Sequence, residues 1–167
     1  MIQRLSLAAV MICLAAVRPA SAHQGAPTPS PTPTPLAVGD VVGEFDAVGI
    51  DGVSRRVDFP KGSSTVVVFF TSSCPVCHRM LPVWSRYYGR LPKTVRMVGV
   101  LVDREPPGFF NAMPVAFPVV RTPGPELHRA FKVHRVPMTI RVGPGGRVEE
   151  VAEGVLDPIR LGQIFRP

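Results

Sequence analysis

From residue 38 onward, the pattern of apolar and polar positions alternates between strand and helix. Residues 65–70 (TVVVFF) form an unbroken β-branched and aromatic run between serine-rich segments, as in a strand buried on both faces. Residues 74–88 then carry apolar side chains at helical spacing, and residues 95–102 form a second apolar run. This order predicts an α/β domain with the strand at 65–70 in the centre of its sheet.

Shorter elements complete the predicted domain. They are a leading hairpin with strands 45–50 and 53–57, a strand-like segment at 117–120, a short helix including 126–131, a late hairpin with strands 138–142 and 147–152, and a final helix over 158–165. Glycine-rich turn sequences indicate the hairpins, and Asp157 as N-cap with Pro158 in the first helical position indicates the final helix. The domain is predicted to span residues 38–167.

The N-terminal segment has a different composition. Residues 1–22 combine a basic residue, Arg4, with a 13-residue, mostly apolar stretch and a small-residue end, the pattern of a secretory signal peptide. We expect cleavage after Ala22 and an extracytoplasmic, periplasmic-type location. A retained membrane anchor is the alternative, because a single basic residue makes a weak n-region. Residues 23–37 contain five prolines among small and polar residues, which favours an extended linker over a packed core.

Composition excludes several classes of protein. The 167 residues are 46% apolar and 19% charged with three cysteines, which excludes a disordered chain and a small disulfide-framework protein. The sequence contains no run of 18 apolar residues, which excludes a transmembrane bundle. The net charge is +7, but no run of lysine or arginine exceeds two residues. We therefore predict a mildly basic surface and no nucleic-acid partner.

Two cysteines three positions apart carry the candidate chemistry. Cys74 and Cys77 stand where the strand at 65–70 meets the following helix, whereas Cys13 is an apolar residue of the signal peptide. Free N–H groups and the helix dipole at a helix N-terminus favour a cysteine thiolate. The pair predicts thiol–disulfide exchange, in which Cys74 forms a mixed disulfide and Cys77 resolves it. The pair would then cycle between a dithiol and a redox-active disulfide.

Three neighbouring residues are predicted to tune this pair. Pro75 suits the first helical turn and stiffens the ring that a disulfide would close, and Val76 completes the CPVC sequence. His78 would add positive charge near the sulfurs at low pH. The direction of electron flow stays open, because such proteins have reduction potentials from about −270 to about −120 mV.

Several motifs resemble the thioredoxin superfamily. The segment TSSCPVC at 71–77 resembles a thioredoxin active site, and Pro82 stands where thioredoxins carry a helix-kinking proline. The segment at 127–140 is similar to the one that delivers the cis-proline. The resemblance implies a thioredoxin fold with a central mixed sheet flanked by helices. It also implies a cis bond between Val136 and Pro137, with a substrate strand bound along Val136.

The spacing of these motifs narrows the resemblance to a secreted branch. Cys77 and Pro137 are 60 residues apart, more than in a plain thioredoxin, and the additional residues form a central βα insertion. Together with the leading hairpin and the signal peptide, this resembles the TlpA, ResA and CcmG group of extracytoplasmic thiol–disulfide oxidoreductases. The resemblance implies protein thiols and disulfides as substrates, an upstream redox partner, and a role in cytochrome c or copper-protein maturation. It implies no cofactor and no metal.

Two positions depart from the pattern of these families. Val68 stands where thioredoxin has a buried acidic residue, and Met80 stands where the secreted reductases often have a glutamate. The resemblance therefore leaves the proton acceptor of Cys77 unassigned.

Four alternatives stay open. The sequence CPVCH also matches the haem-attachment motif, with His78 as one axial ligand and a methionine as the other, the candidates being Met97, Met113 and Met138. A zinc site needs four ligands, and beyond the cysteine pair the candidates are His78, His128, His134 and His23 of the linker. Thr71 and Cys74 have the Thr-x-x-Cys spacing of peroxiredoxins. The last alternative is a redox-inert thioredoxin-fold module that binds a partner or copper through its cysteines.

Overall fold

The structure is a computed structural model that describes residues 34–167. The predicted signal peptide at 1–22, Cys13 within it, and residues 23–33 of the predicted linker lie outside the described residues. Among the helices of the described part, none combines the length and apolarity needed to cross a membrane.

Seven strands and four α-helices make up residues 34–167. The strands are β1 Phe45–Gly49, β2 Ser54–Val57, β3 Ser64–Phe70, β4 Val95–Leu101, β5 Val119–Arg121, β6 Met138–Val142 and β7 Val148–Glu153. The helices are α1 Pro75–Tyr88, α2 Phe109–Ala112, α3 Pro125–Ala130 and α4 Pro158–Ile164, and a 3₁₀ turn at Pro144–Gly146 joins β6 to β7. The predicted α/β pattern is thus observed, with boundaries shifted by one or two residues.

The strands form one mixed sheet in the order β2-β1-β5-β4-β3-β6-β7. The three strands β3, β4 and β5 run parallel, and the hairpin β1–β2 and the pair β6–β7 extend the sheet antiparallel on either side. Because β3 and β4 are parallel with Phe70 opposite Leu101, the segments that follow them emerge at the same edge of the sheet. This edge carries the cysteine pair.

The central strand β3 is buried along its whole length, as predicted. Its side chains alternate between two apolar clusters. Val66, Val68 and Phe70 lie in the first cluster, and Val67 and Phe69 lie in the second. Helix α1 covers the first cluster with Trp84, which is 0% exposed. Phe131 packs in the second cluster, with its ring centroid 5.4 Å from that of Phe69. The strand that leads into Cys74 is therefore held on both faces.

One helix was not predicted from the sequence. Helix α2 is a single turn in the central insertion, and it begins after Gly108, whose φ of 79° is left-handed. Its Phe109 is buried and packs edge-on against Phe110, with ring centroids 5.0 Å apart. Four residues are too few to show helical periodicity, and Phe109 is buried in the same cluster as Trp84 of α1.

Candidate active site

Cys74 is the N-cap residue of α1. Its backbone is extended, with φ −89° and ψ 112°, and its Sγ accepts a hydrogen bond from the backbone N–H of Cys77 at 3.2 Å. Pro75 occupies the first turn of α1. The N–H groups of a first turn have no acceptor within the helix, so the absence of an N–H in proline loses no hydrogen bond there. The Cys74 side chain is half-buried, so its sulfur receives a helix N–H and stays reachable from solvent.

Cys77 lies one turn further along and is completely buried, at 0% exposure. Burial, and secondly the hydrogen bond with Cys74, raise the pKa of the Cys77 thiol to about 12. Val68 and Met80, the two positions where related families carry carboxylates, are apolar and buried in the same cluster as Cys77. Both cysteines are free thiols in this structure. The site therefore has one accessible sulfur, that of Cys74, and one buried thiol, that of Cys77, which keeps its proton.

The raised pKa of Cys77 predicts a pH-dependent stability of the reduced protein. Because the pKa rises from 9.0 to about 12 on folding, the folded state holds this proton more tightly. The contribution is present below pH 9 and is lost as the pH rises from 9 to about 12. We expect the urea concentration at the midpoint of unfolding of the reduced protein to fall as the pH is raised above 9. A Cys77→Ala variant should show a smaller fall, and an equal fall in both proteins would contradict the prediction.

The segment preceding β6 brings Val136 to the cysteine pair. The Val136–Pro137 peptide bond is cis, as the resemblance implied, and the Val136 carbonyl oxygen lies 4.0 Å from Cys74 Sγ. Pro137 is buried, and its carbonyl accepts a hydrogen bond from the Gly154 N–H at 2.8 Å. Met138 pairs with Phe69 at the end of β3, which places this segment at the edge that carries Cys74.

His78 has a specific partner in the loop before Cys74. Its Nε2 lies 2.7 Å from the carbonyl oxygen of Ser72. A carbonyl oxygen only accepts hydrogen bonds, so Nε2 carries a hydrogen and donates it. The imidazole also packs against Phe109 of α2, with ring centroids 5.8 Å apart. His78 thus links α1 to the loop that precedes Cys74. The positive charge that His78 is expected to add near the sulfurs at low pH stays a prediction.

Asp103 was not predicted as a site residue. Its Oδ1 accepts from the Ser72 N–H at 2.8 Å, and its Oδ2 accepts from the Ser72 hydroxyl at 2.9 Å and the Ser73 N–H at 3.3 Å. The Ser73 hydroxyl is 3.4 Å from the same oxygen. One carboxylate therefore holds both residues before Cys74. A sequence signal existed: Asp103 closely follows β4, whose carboxyl end shares an edge with that of β3.

Removing the Asp103 carboxylate should loosen this loop. We expect Asp103→Ala to lower the free energy of unfolding by roughly 1–3 kcal/mol, because the N–H and the hydroxyl of the buried Ser72 lose their acceptor. Urea denaturation measures the change. Asp103→Asn keeps one acceptor oxygen and should lose less. Asp46→Ala, on an exposed ion pair with Arg56, is a matched control with an expected effect within about 0.5 kcal/mol. Equal losses in Asp103→Ala and Asp46→Ala would contradict this role.

The metal and haem alternatives fit this geometry poorly. Residues 34–167 contain no group of three or more side chains placed to hold a metal ion. For haem, Cys77 would have to leave its buried position, and two of the candidate axial methionines, Met97 and Met138, are strand residues 5% and 1% exposed. His78 is already hydrogen-bonded to Ser72. These donors do not fit a covalently attached haem.

Comparison with known proteins agrees with the fold. The model of the AhpC/TSA family matches residues 38–151. The chain belongs to the AhpC/TSA family. Within this family it is 30% identical over 108 residues to sporulation thiol-disulfide oxidoreductase A (StoA) of Bacillus subtilis (strain 168), covering 60% of this chain and 66% of that protein. The chain therefore spans just under two thirds of that relative's length.

A second relative and a solved structure are also similar to this chain. The chain is 24% identical over 132 residues to thiol-disulfide oxidoreductase ResA of Oceanobacillus iheyensis, covering 74% of this chain and 69% of that protein. The crystal structure of StoA from Bacillus subtilis matches with a TM-score of 0.63 and 24% identity, over 74% of this chain and 96% of that one. The predicted thioredoxin fold is confirmed. Both relatives are named thiol–disulfide oxidoreductases, the enzyme class that the sequence predicts.

Proposed function

We propose that this AhpC/TSA family member is an extracytoplasmic thiol–disulfide oxidoreductase that exchanges disulfides with protein thiols through Cys74 and Cys77. The observation that carries the proposal is the asymmetry of the two thiols. Cys74 Sγ is half-buried at the start of α1, 3.2 Å from a helix N–H, whereas Cys77 is fully buried with its pKa raised to about 12. Cys74 is therefore suited to react with a substrate, and Cys77 is suited to react only after the mixed disulfide has formed.

In the reducing direction, the Cys74 thiolate attacks one sulfur of a substrate disulfide. A mixed disulfide forms between Cys74 and the substrate, and the other substrate sulfur leaves as a thiolate that takes up a proton. Cys77 then loses its proton and attacks Cys74 Sγ, which releases the second substrate thiol. The protein dithiol is oxidised to a Cys74–Cys77 disulfide, and the substrate gains two electrons and two protons. Oxidation of a substrate dithiol is the same sequence in reverse.

Val136 and Pro137 are the proposed substrate-binding residues. The Val136 carbonyl is 4.0 Å from Cys74 Sγ, so an extended substrate segment aligned with Val136 would bring its own cysteine next to the reactive sulfur. Pro75, Val76 and His78 are the proposed tuning residues. Pro75 and Val76 occupy the turn between the two cysteines, and His78 is bonded to the loop before them.

Location and partners follow from the N-terminal pattern and the resemblance. The signal-peptide pattern of residues 1–22 supports export, and the proline-rich segment that follows supports a spacer before the domain. An exported oxidoreductase needs an upstream redox partner to restore its starting state. We include the cysteines of cytochrome c or copper proteins among its substrates.

The test is to equilibrate the purified protein with glutathione redox buffers and to measure the Cys74–Cys77 couple by mass spectrometry. We expect reversible two-electron behaviour and turnover of a protein disulfide such as insulin. A potential near −270 mV would indicate a reductase, and one near −120 mV an oxidant. A protein that forms no internal disulfide and exchanges with no substrate would overturn the proposal in favour of the redox-inert module. Covalently bound haem, or consumption of peroxide in proportion to Cys74 oxidation, would overturn it as well.

A further inference from the structure

Three exposed arginines adjoin the contacts that surround Cys74. Arg79 follows His78, which binds the Ser72 carbonyl; Arg104 follows Asp103, which binds Ser72 and Ser73; Arg135 precedes Val136, whose carbonyl is 4.0 Å from Cys74 Sγ. They come from three different elements: α1, the segment after β4, and the segment before β6. We call Arg79, Arg104 and Arg135 the cationic rim.

The cationic rim is not neutralised within residues 34–167. Nine lysines and arginines there form ion pairs with carboxylates within 4 Å, and none of the three rim residues is among them. The nearby acidic groups are accounted for: Asp103 is bonded to the loop, and Glu105 is paired with Arg121. Glu153, at the end of β7 opposite Met138, is a further carboxylate near this segment and is exposed. Each of the three segments that meet beside Cys74 therefore carries an exposed arginine with no carboxylate partner among residues 34–167, which favours a positive potential at this edge of the sheet.

A groove beside the site favours a polypeptide as the occupant. Residues 104–111 line a groove of about 590 Å³, with Arg104, the aromatic residues of α2 and Glu105, whose carboxylate is paired with Arg121. Phe109 of this groove packs on the ring of His78, which directly follows Cys77 in α1. A concave groove with an arginine and aromatic rings at its wall fits an extended chain better than it fits a flat lipid surface.

We infer that the cationic rim recognises protein substrates that carry acidic residues beside their reactive cysteine. This inference rests on the proposed function, because it names the substrates of the same site. Arginine forms bidentate hydrogen bonds with carboxylates, and three of them on separate elements can contact carboxylates on both sides of a bound cysteine. The rim accelerates encounter with such substrates and slows encounter with basic ones.

The test measures how fast the reduced protein reduces three symmetrical peptide disulfides. Each peptide has one cysteine flanked by glutamates, serines or lysines, and reactions are quenched with acid and separated by chromatography. We expect the glutamate peptide to react about tenfold faster than the lysine peptide at low ionic strength. The ratio should approach one at 1 M salt, where the screening length is about 3 Å. Reversal of the rim, Arg79→Glu with Arg104→Glu and Arg135→Glu, should invert the preference.

A matched control changes the same charge elsewhere. Lys61, Arg90 and Lys93 are exposed, have no carboxylate partner within residues 34–167, and lie at the opposite end of β3 and α1 from Cys74. Their combined replacement by glutamate should leave the preference in place. An equal shift in both triple variants would reduce the effect to net charge and overturn the inference. An unchanged peptide preference in the rim variant would overturn it as well. So would a rim variant that keeps the peptide preference and, compared with the wild-type protein, loses only its binding to phosphatidylglycerol vesicles.

The serine peptide separates this inference from the proposed function. If the serine peptide is reduced and the charged peptides show no preference, the rim inference fails while the oxidoreductase stands. If no peptide is reduced by the wild-type protein, the proposed function itself fails.

Discussion

Replacing Cys74 with serine is expected to lower disulfide exchange to the uncatalysed background. A serine hydroxyl at this position does not attack a disulfide, and Cys77 cannot take over because it is completely buried with a pKa of about 12. The measurement is reduction of a protein disulfide by the reduced variant, with unfolding by urea as the check that the variant folds. Exchange at the wild-type rate would contradict the assignment of Cys74 as the nucleophile.

The companion variant, Cys77→Ser, has a different expected outcome. Cys74 can still attack a substrate, but nothing resolves the intermediate, so a mixed disulfide should accumulate on Cys74. Mass spectrometry of the trapped adduct also identifies the substrates from an extracytoplasmic extract. Absence of an adduct on Cys74, with the fold intact, would contradict the order of the two steps.

Replacing Arg141 with methionine is expected to lower the free energy of unfolding by about 3 kcal/mol. Arg141 lies on β6 with its side chain 6% exposed. It donates to Glu149 at 2.8 Å, to the Ser64 hydroxyl at 3.0 Å and to the Ile164 carbonyl at 3.0 Å. It therefore joins β3, β6 and β7 to the end of α4. Its removal takes a donor from the buried Ser64 hydroxyl, the buried Ile164 carbonyl and the half-buried Glu149 carboxylate.

Urea denaturation of three further variants gives this prediction its controls. Arg147→Met removes an exposed arginine near the same hairpin and should cost less than about 0.5 kcal/mol. Arg141→Met combined with Glu149→Leu should recover part of the loss, because the orphaned carboxylate is removed too. Arg141→Lys keeps the charge without the planar donor group and should still lose stability. A loss below 0.5 kcal/mol in Arg141→Met would show that the buried network contributes little.

Much of the sheet could be predicted because its pattern is local. The run at 65–70 is apolar at every position, and that strand is buried on both faces. The final helix begins as predicted at Pro158, with the Asp157 side chain accepting from the Arg160 N–H. Caps and apolar runs act over a few residues, so the chain itself specifies them. Helix α2 is the counterexample. It has only four residues, and its Phe109 is buried against the rest of the core only in the folded domain.

The cysteine pair was the part of the site that the sequence by itself determined. Three positions of spacing at the end of an apolar strand are enough to place two sulfurs one helical turn apart. Only the tertiary structure decided what surrounds them. Asp103 and Val136 are 29 and 62 residues from Cys74. Asp103 reaches the loop before Cys74, and Val136 reaches Cys74 Sγ, because β4 and β6 are the two neighbours of β3 in the sheet. Parallel and antiparallel pairing converts distant positions into neighbours, and no local pattern records such pairing.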